Sequence, residues 1–262
     1  MFSKSIIDLR RGISLYHVWI HQAYHDISAK YKRTILGSIW ISGAMVATSL
    51  ALAIVMGGIQ HQNVPDVLPY VMAGIMCYSL GGTYILSEAP EVFLSAANII
   101  KNHAYPYTYY AFESTTRVFF IFFHNLVAFY LAMAILGRLA IPDWSILLGL
   151  PLVYMNSVVW GTLSAMASAR FRDLRFLLPF VGQIIFFLTP VFWHPETSSI
   201  GWRQYLVMFN PFYGMVEVIR SPLLGHAAAA LAWEQVGISL GLGMLLWLIF
   251  FGAFRGRIAF WV

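Results

Sequence analysis

The chain has 262 residues, 60% hydrophobic and only 10% charged, against about 25% charged in an ordinary soluble domain. That balance excludes a large soluble domain, and the single cysteine, Cys77, excludes an internal disulfide and reads as a small packed hydrophobe. The net charge of +5 is no sign of nucleic-acid binding, because basic residues in a membrane chain record orientation.

A helix needs about 20 mostly apolar residues to cross a hydrocarbon layer about 30 Å thick. Residues 1–33 are too polar for that. Ile6, Leu9, Ile13, Tyr16, Ile20, Ala23 and Ile27 recur at steps of three and four, with Lys4, Asp8, Arg11 and His25 off the line. The spacing predicts an amphipathic helix lying on the membrane surface with its apolar stripe down. Charge throughout this stretch argues against a cleavable leader. Lys32 and Arg33 then stand before Thr34–Gln60, which holds no ionisable residue.

Six spans are expected, at 34–60, 67–88, 113–137, 144–169, 174–193 and 233–254, the fifth containing Pro179 and Pro190. No internal repeat or flexible linker is visible, so 1–262 is read as one all-α polytopic domain. Residues 89–112 form a connection longer than a turn. Residues 194–232 are too apolar for a water-exposed loop. WRQYLVMF and FYGMVEVI, broken by Asn210-Pro211 and Gly214, predict short re-entrant helices. Of the 16 Lys and Arg, all but Arg138, Arg203 and Arg220 fall on one side of this layout. That side is expected to be cytoplasmic, with both termini on it.

Several side chains suggest chemistry, each with two readings. His17, His21 and His25 share a helix face and could offer zinc two ligands one turn apart, or simply sit at a headgroup interface. Glu88 and Glu91 at the end of span two are a solvated helix end, or a gate pairing with a cation such as Lys101 or Arg117. His124 and Asn125, among Phe119, Phe120, Phe122 and Phe123, hydrogen-bond between helices or line a pathway. The aromatics around Tyr105 on one side, and Trp193, Trp202 and Tyr213 on the other, are an interface belt or a stacking surface for sugar rings. The chain lacks the G-x-x-x-x-G-K-[ST] phosphate loop, so ATP-driven work requires a second protein.

Taken in order, a set of short stretches resembles one family. Tyr31-Lys32-Arg33-Thr34 with Leu36-Gly37 and Trp40 is similar to the Y-x-R-[ST]-x-L-G-x-x-W start of span one in the membrane subunits of type-2 ABC exporters. Among these, the O-antigen, capsule and teichoic-acid polysaccharide exporters look closest. Asn98-Ile99-Ile100-Lys101 followed by Tyr105-Pro106 resembles the family's N-L-I-K…[FY]-P loop, although Tyr107 stands where a basic residue is often found. Arg170-Phe171-Arg172-Asp173-Leu174 resembles its R-[FY]-R-D-[LI] turn. Thr189-Pro190-Val191-Phe192-Trp193 and Asn210-Pro211 resemble its stretch outside span five.

The resemblance implies a homodimer enclosing a channel in the bacterial inner membrane. Two copies of a separate ATPase would bind ATP and Mg; this chain would carry no cofactor, no metal and no catalytic residue. Asn98, Ile99, Ile100, Lys101, Tyr105 and Pro106 would take up ATPase motion, with Lys32, Arg33 and Gly37 as hinge and Arg170, Arg172 and Asp173 as a cytoplasmic turn. Glu88, Glu91, Phe119, Phe123, His124, Trp193, Trp202 and Tyr213 are the expected channel or gate residues. The substrate would be a polysaccharide or lipid-linked glycan, with lipid around the dimer and no nucleic acid. A drug or small-lipid exporter of the same architecture, and a membrane-embedded enzyme acting on lipid-linked substrates, are the alternatives.

Overall fold

The computed structural model describes residues 2–32, 34–35, 37–195, 201 and 203–262. Among them there are helices and no strand. Five helical runs are long and apolar enough to cross a membrane: Ile39–Gln60, Val64–Ser95, Tyr107–Ile135, Ile146–Arg170 and Ala230–Trp261. Arg33 and Trp202, expected at the hinge and the outer gate, lie outside the described residues.

Helices α1 (Phe2–Ser14) and α2 (Tyr16–Tyr31) replace the single surface helix expected, with a break at Leu15. In α1 the expected stripe is outward, with Ile6 57% and Ile13 52% exposed while Ser5 and Asp8 are buried; in α2 Tyr16 and Ile20 are exposed and Ala23 alone of the stripe is fully buried. The reason is a close approach of α1 to α7 (Tyr107–Ile135). A Cβ on Gly12 would lie 2.2 Å from Thr108 Oγ1, so the glycine face, not the isoleucine face, meets the bundle.

Helix α3 (Ile39–Gln60) buries only Ser42, Met45, Ser49, Ala53 and Gly57, at steps of three and four. Small side chains on that line let its backbone approach α4 (Val64–Tyr78) closely. The turn between them closes on a left-handed His61 (φ 53°) and a 2.9 Å hydrogen bond from Gln62 N to Gly57 O.

After α4 the chain does not leave the bundle. It continues in wide i→i+5 turns over Ser79–Glu88, a tight turn at Ala89–Glu91, and α5 (Val92–Ser95). Wide turns loosen the carbonyl ladder, and neighbours fill in. Ser157 Oγ donates to Leu80 O at 2.7 Å, and Tyr84 Oη shares hydrogen bonds with Ser114 Oγ (2.7 Å) and Thr115 Oγ1 (2.9 Å). Gly161 of α8 (Ile146–Arg170) makes room for that tyrosine, since a Cβ there would be 2.6 Å from its ring. The long connection expected over 89–112 therefore shrinks to α6 (Ala97–Asn102) and the loop 103–106, and α7 starts at Tyr107 rather than at 113.

The fifth expected span is also shorter than 174–193. Helix α9 covers Leu174–Leu188 and stops at an extended Thr189 (ψ 136°), as the residue before a proline prefers. Its 15 residues rise about 22 Å, less than a full hydrocarbon thickness. Beyond it lie α10 (Arg203–Phe209) and α11 (Pro211–Leu223), the latter buried on most of its positions between α4, α8 and α12 (Ala230–Phe254). Gly149 permits this insertion, since a Cβ there would be 2.4 Å from Val218 O; Gly74 likewise admits the stretch after α9, since a Cβ there would be 2.1 Å from Val191 O. A turn at Arg255–Arg257 and α13 (Ile258–Trp261) end the chain. One core, with Leu80, Phe122, Phe129 and Ile219, fills the middle; a second, with Phe93, Tyr110, Trp247 and Ile258, sits toward the end that carries Lys4, Lys101 and Arg255.

Candidate functional site

At this arginine-rich end, Asp8 joins three parts of the chain. Helix α7 begins after Pro106, which has no side chain able to cap the first N–H groups. Asp8 supplies the cap from 100 residues away. Its carboxylate accepts from Tyr107 N (3.3 Å), Thr108 N (3.1 Å) and Thr108 Oγ1 (2.9 Å). A negative charge there also opposes the positive end of the helix dipole. Asp8 is 4% exposed, and Arg255 lies 3.6 Å away, also donating to Lys4 O. Trp19 of α2 adds a second tie: its Nε1 donates to Gly12 O at 3.1 Å and its ring stacks on Phe112. Helices α1 and α2 are thus tied directly to the first turns of a spanning helix.

Beside this junction is a cavity of about 410 Å³, lined by Asp26, Glu88, Glu91, Glu113 and Arg117 with Tyr105, Tyr109 and Tyr110. Of the two readings of Glu88 and Glu91, a solvated helix end or a gate paired with a cation, the distances show only that Glu88 lies 3.6 Å from Arg117 and Glu91 4.0 Å from Arg175. Tyr105 stacks on Tyr109 with centroids 5.0 Å apart. Among the coupling residues, Asn98, Ile99, Lys101 and Tyr105 are exposed, Pro106 is half-buried, and Ile100 roots α6 in the second core. Lys101 has no carboxylate partner among the described residues.

Where a hinge is expected, Lys32 is exposed and Gly37 adopts a left-handed φ of 55°. His124 Nε2 donates to Ser38 O at 3.0 Å, and Ser42 Oγ donates to Asn125 Oδ1 at 3.1 Å. Both polar side chains therefore pin the start of α3 to α7. A groove of about 790 Å³ runs along this stretch, with Phe123 and His124 on its wall beside Lys32 and Gly37. Phe119 is 6% exposed and packs edge-on against Tyr154, so it belongs to the core of the chain. Arg172 and Asp173 are exposed at the turn from α8 to α9, where Asp173 O accepts from Phe176 N and Leu177 N; Arg170 lies over the rings of Phe171 and Trp261.

The opposite end holds a site that the residue types alone did not single out. Arg220 is 1% exposed. It pairs with Glu217, donates to Pro190 O at 2.6 Å, and lies 4.0 Å from the centre of the Tyr70 ring. Glu217 also accepts from Ser221 Oγ. Tyr70 Oη donates to Trp193 O at 3.2 Å, and Trp193 Nε1 to Phe187 O at 3.2 Å. Tyr213 is buried in α11. The sequence signal that could have found this knot is a charged pair, Glu217 and Arg220, inside an otherwise apolar stretch.

His17, His21 and His25 are exposed along α2, and no group of three potential metal ligands occurs among the described residues. Gly237-Ile238-Ser239-Leu240-Gly241 matches G-x-S-x-G, but it lies within α12, and Ser239 Oγ accepts from Trp160 Nε1 at 3.1 Å. A nucleophile elbow needs a strand-to-helix turn. Comparison with models of known families and with curated proteins finds no match.

Proposed function

We propose that this chain is the membrane subunit of an ATP-driven exporter that carries a polysaccharide or lipid-linked glycan across a bacterial inner membrane. It acts as a homodimer, with two copies of a separate ATPase that bind ATP and Mg. The reading starts from the ordered motifs. The observation that carries it furthest is the Asp8 junction, which ties a surface platform, α1 and α2, to the first turn of α7 at the end where α6 presents Asn98, Ile99 and Lys101. Such a linkage suits a subunit driven from outside the bilayer.

In this reading both termini and the arginine-rich end are cytoplasmic. Residues 174–193 complete a sixth crossing, and α10 and α11 form a re-entrant plug held by Arg220. ATPase closure pushes α6 and α2, and the Gly37 hinge lets α3 swing against the dimer mate. The tagged chain, purified from its native host in mild detergent, is expected to bring an ATPase with a phosphate-binding loop at one copy per chain, identified by mass spectrometry. An intact, folded chain with no such companion would sink the proposal.

A further inference from the structure

On the outer side of the bundle, α8 and α12 enclose a groove of about 590 Å³ that runs from Trp160 to Arg170 and Arg257. Its wall is apolar, with Leu163 and Met166 from α8 facing Leu246 and Phe250 from α12. Trp160 adds no free donor, because its Nε1 points inward to Ser239 O (3.2 Å) and Oγ (3.1 Å). Gly243 is what allows this, since a Cβ there would be 2.8 Å from that nitrogen. From residue 160 to residue 170 a helix rises about 15 Å, half the thickness of a hydrocarbon core. The groove thus has the depth of one leaflet.

Its mouth has the opposite character. Arg170 Cζ lies 5.1 Å from the Phe171 ring and 6.0 Å from the Trp261 ring, and Arg257 Cζ lies 5.6 Å from the Phe254 ring. Aromatic faces orient both guanidiniums without neutralising them. Arg117, Arg175 and Arg255 at the same end face Glu88, Glu91 and Asp8. Arg170 and Arg257 face no carboxylate among the described residues, though both reach the lip of an apolar cavity. Two cations at one end of a carbon-lined slot match one ligand chemistry, a phosphate ester attached to an acyl chain.

We propose that this groove binds an anionic phospholipid, with its phosphate between Arg170 and Arg257 and an acyl chain lying along Phe250 toward Trp160. A free phosphate would leave the apolar wall empty, so the occupant is a lipid. The inference is independent of the exporter reading and needs only that the arginine-rich end meet the headgroups; on the orientation proposed above, these are those of the cytoplasmic leaflet.

The test uses the full chain, with any companions, in nanodiscs of equal phosphatidylglycerol and phosphatidylcholine, followed by native mass spectrometry of retained lipid. Phosphatidylglycerol is expected to be retained preferentially, with binding about tenfold weaker in Arg170→Gln/Arg257→Gln. Ala167→Leu, which narrows the groove between Leu163 and Arg170 and leaves both arginines in place, is expected to weaken retention of the same lipid. It keeps the question decidable if the double variant fails to fold. Equal retention of the two lipids, undiminished retention in Ala167→Leu, displacement by inorganic phosphate alone, or a photocrosslinker at Phe250 that captures a second copy of the chain instead of lipid would each overturn the proposal.

Discussion

Asp8 and Arg220 are the two residues on which most of the described geometry turns, and each is a buried charge that gathers partners from several parts of the chain. An acidic cap with two backbone donors is worth about 1 kcal/mol in ordinary settings, and here it also holds α1 in place. Asp8→Ala is expected to lower the melting temperature in detergent and to raise amide exchange over α1 and the first turn of α7. Asp8→Asn, which keeps an acceptor, should recover part of the loss. Gly12→Ala should give the same exchange pattern through a different cause, the overlap with Thr108. Unchanged protection of α1 in both variants would refute the junction. Arg220→Ala leaves Glu217 without its cation in a buried setting, which costs about 3–5 kcal/mol when one partner of such a pair is removed. Replacing both residues by Leu should be markedly less damaging than Arg220→Ala alone, as measured by thermal unfolding of the three proteins side by side.

At the scale of elements, two helix ends depart from simple hydropathy. Helix α9 stops at Leu188 although Val191, Phe192 and Trp193 are apolar. Two causes act together: Pro190 holds Thr189 extended, and Arg220 takes the Pro190 carbonyl. In a structure of Pro190→Ala, α9 is expected to gain about a turn and Arg220 to lose that hydrogen bond. If α9 still ends at Leu188, the arginine is the terminator. The wide turns at Ser79–Glu88 make the converse case, a stretch that hydropathy reads as ordinary span. Its loosened ladder survives because Ser157 reaches Leu80 O and Ser114 and Thr115 hold Tyr84. Nothing in the residues 79–88 announces that winding; the partners on α7 and α8 decide it.

For the whole molecule, orientation is the expectation most open to a direct check. In a background with Cys77→Ala, single cysteines at Lys101 and Arg138 should label from opposite sides of inside-out and right-side-out vesicles, Lys101 from the cytoplasmic face. Labelling of both from one side would reverse or remove the topology on which the export reading stands.

The long apolar helices were legible because hydropathy is a local sum over some twenty residues, and that sum located the five spanning runs to within a turn or two. Of the candidate site, the sequence left Glu88 as a solvated end or a cation's partner, and His124 and Asn125 as interhelical hydrogen bonders or pathway-lining groups; the packed helices supply Arg117, Ser38 O and Ser42 as their neighbours. It set the isoleucines of the first helix in the right line but gave no hint that Ser5, Asp8 and Gly12 would be the face turned to the protein. The tertiary structure decided that face, the start of α7, the winding of 79–88 and the burial of Arg220, because each depends on hydrogen-bond partners or close backbone contacts far away in the chain. A periodicity can say which side chains share a face. Only the packed bundle, where an uncapped helix end meets a carboxylate about a hundred residues distant, says which face is turned inward.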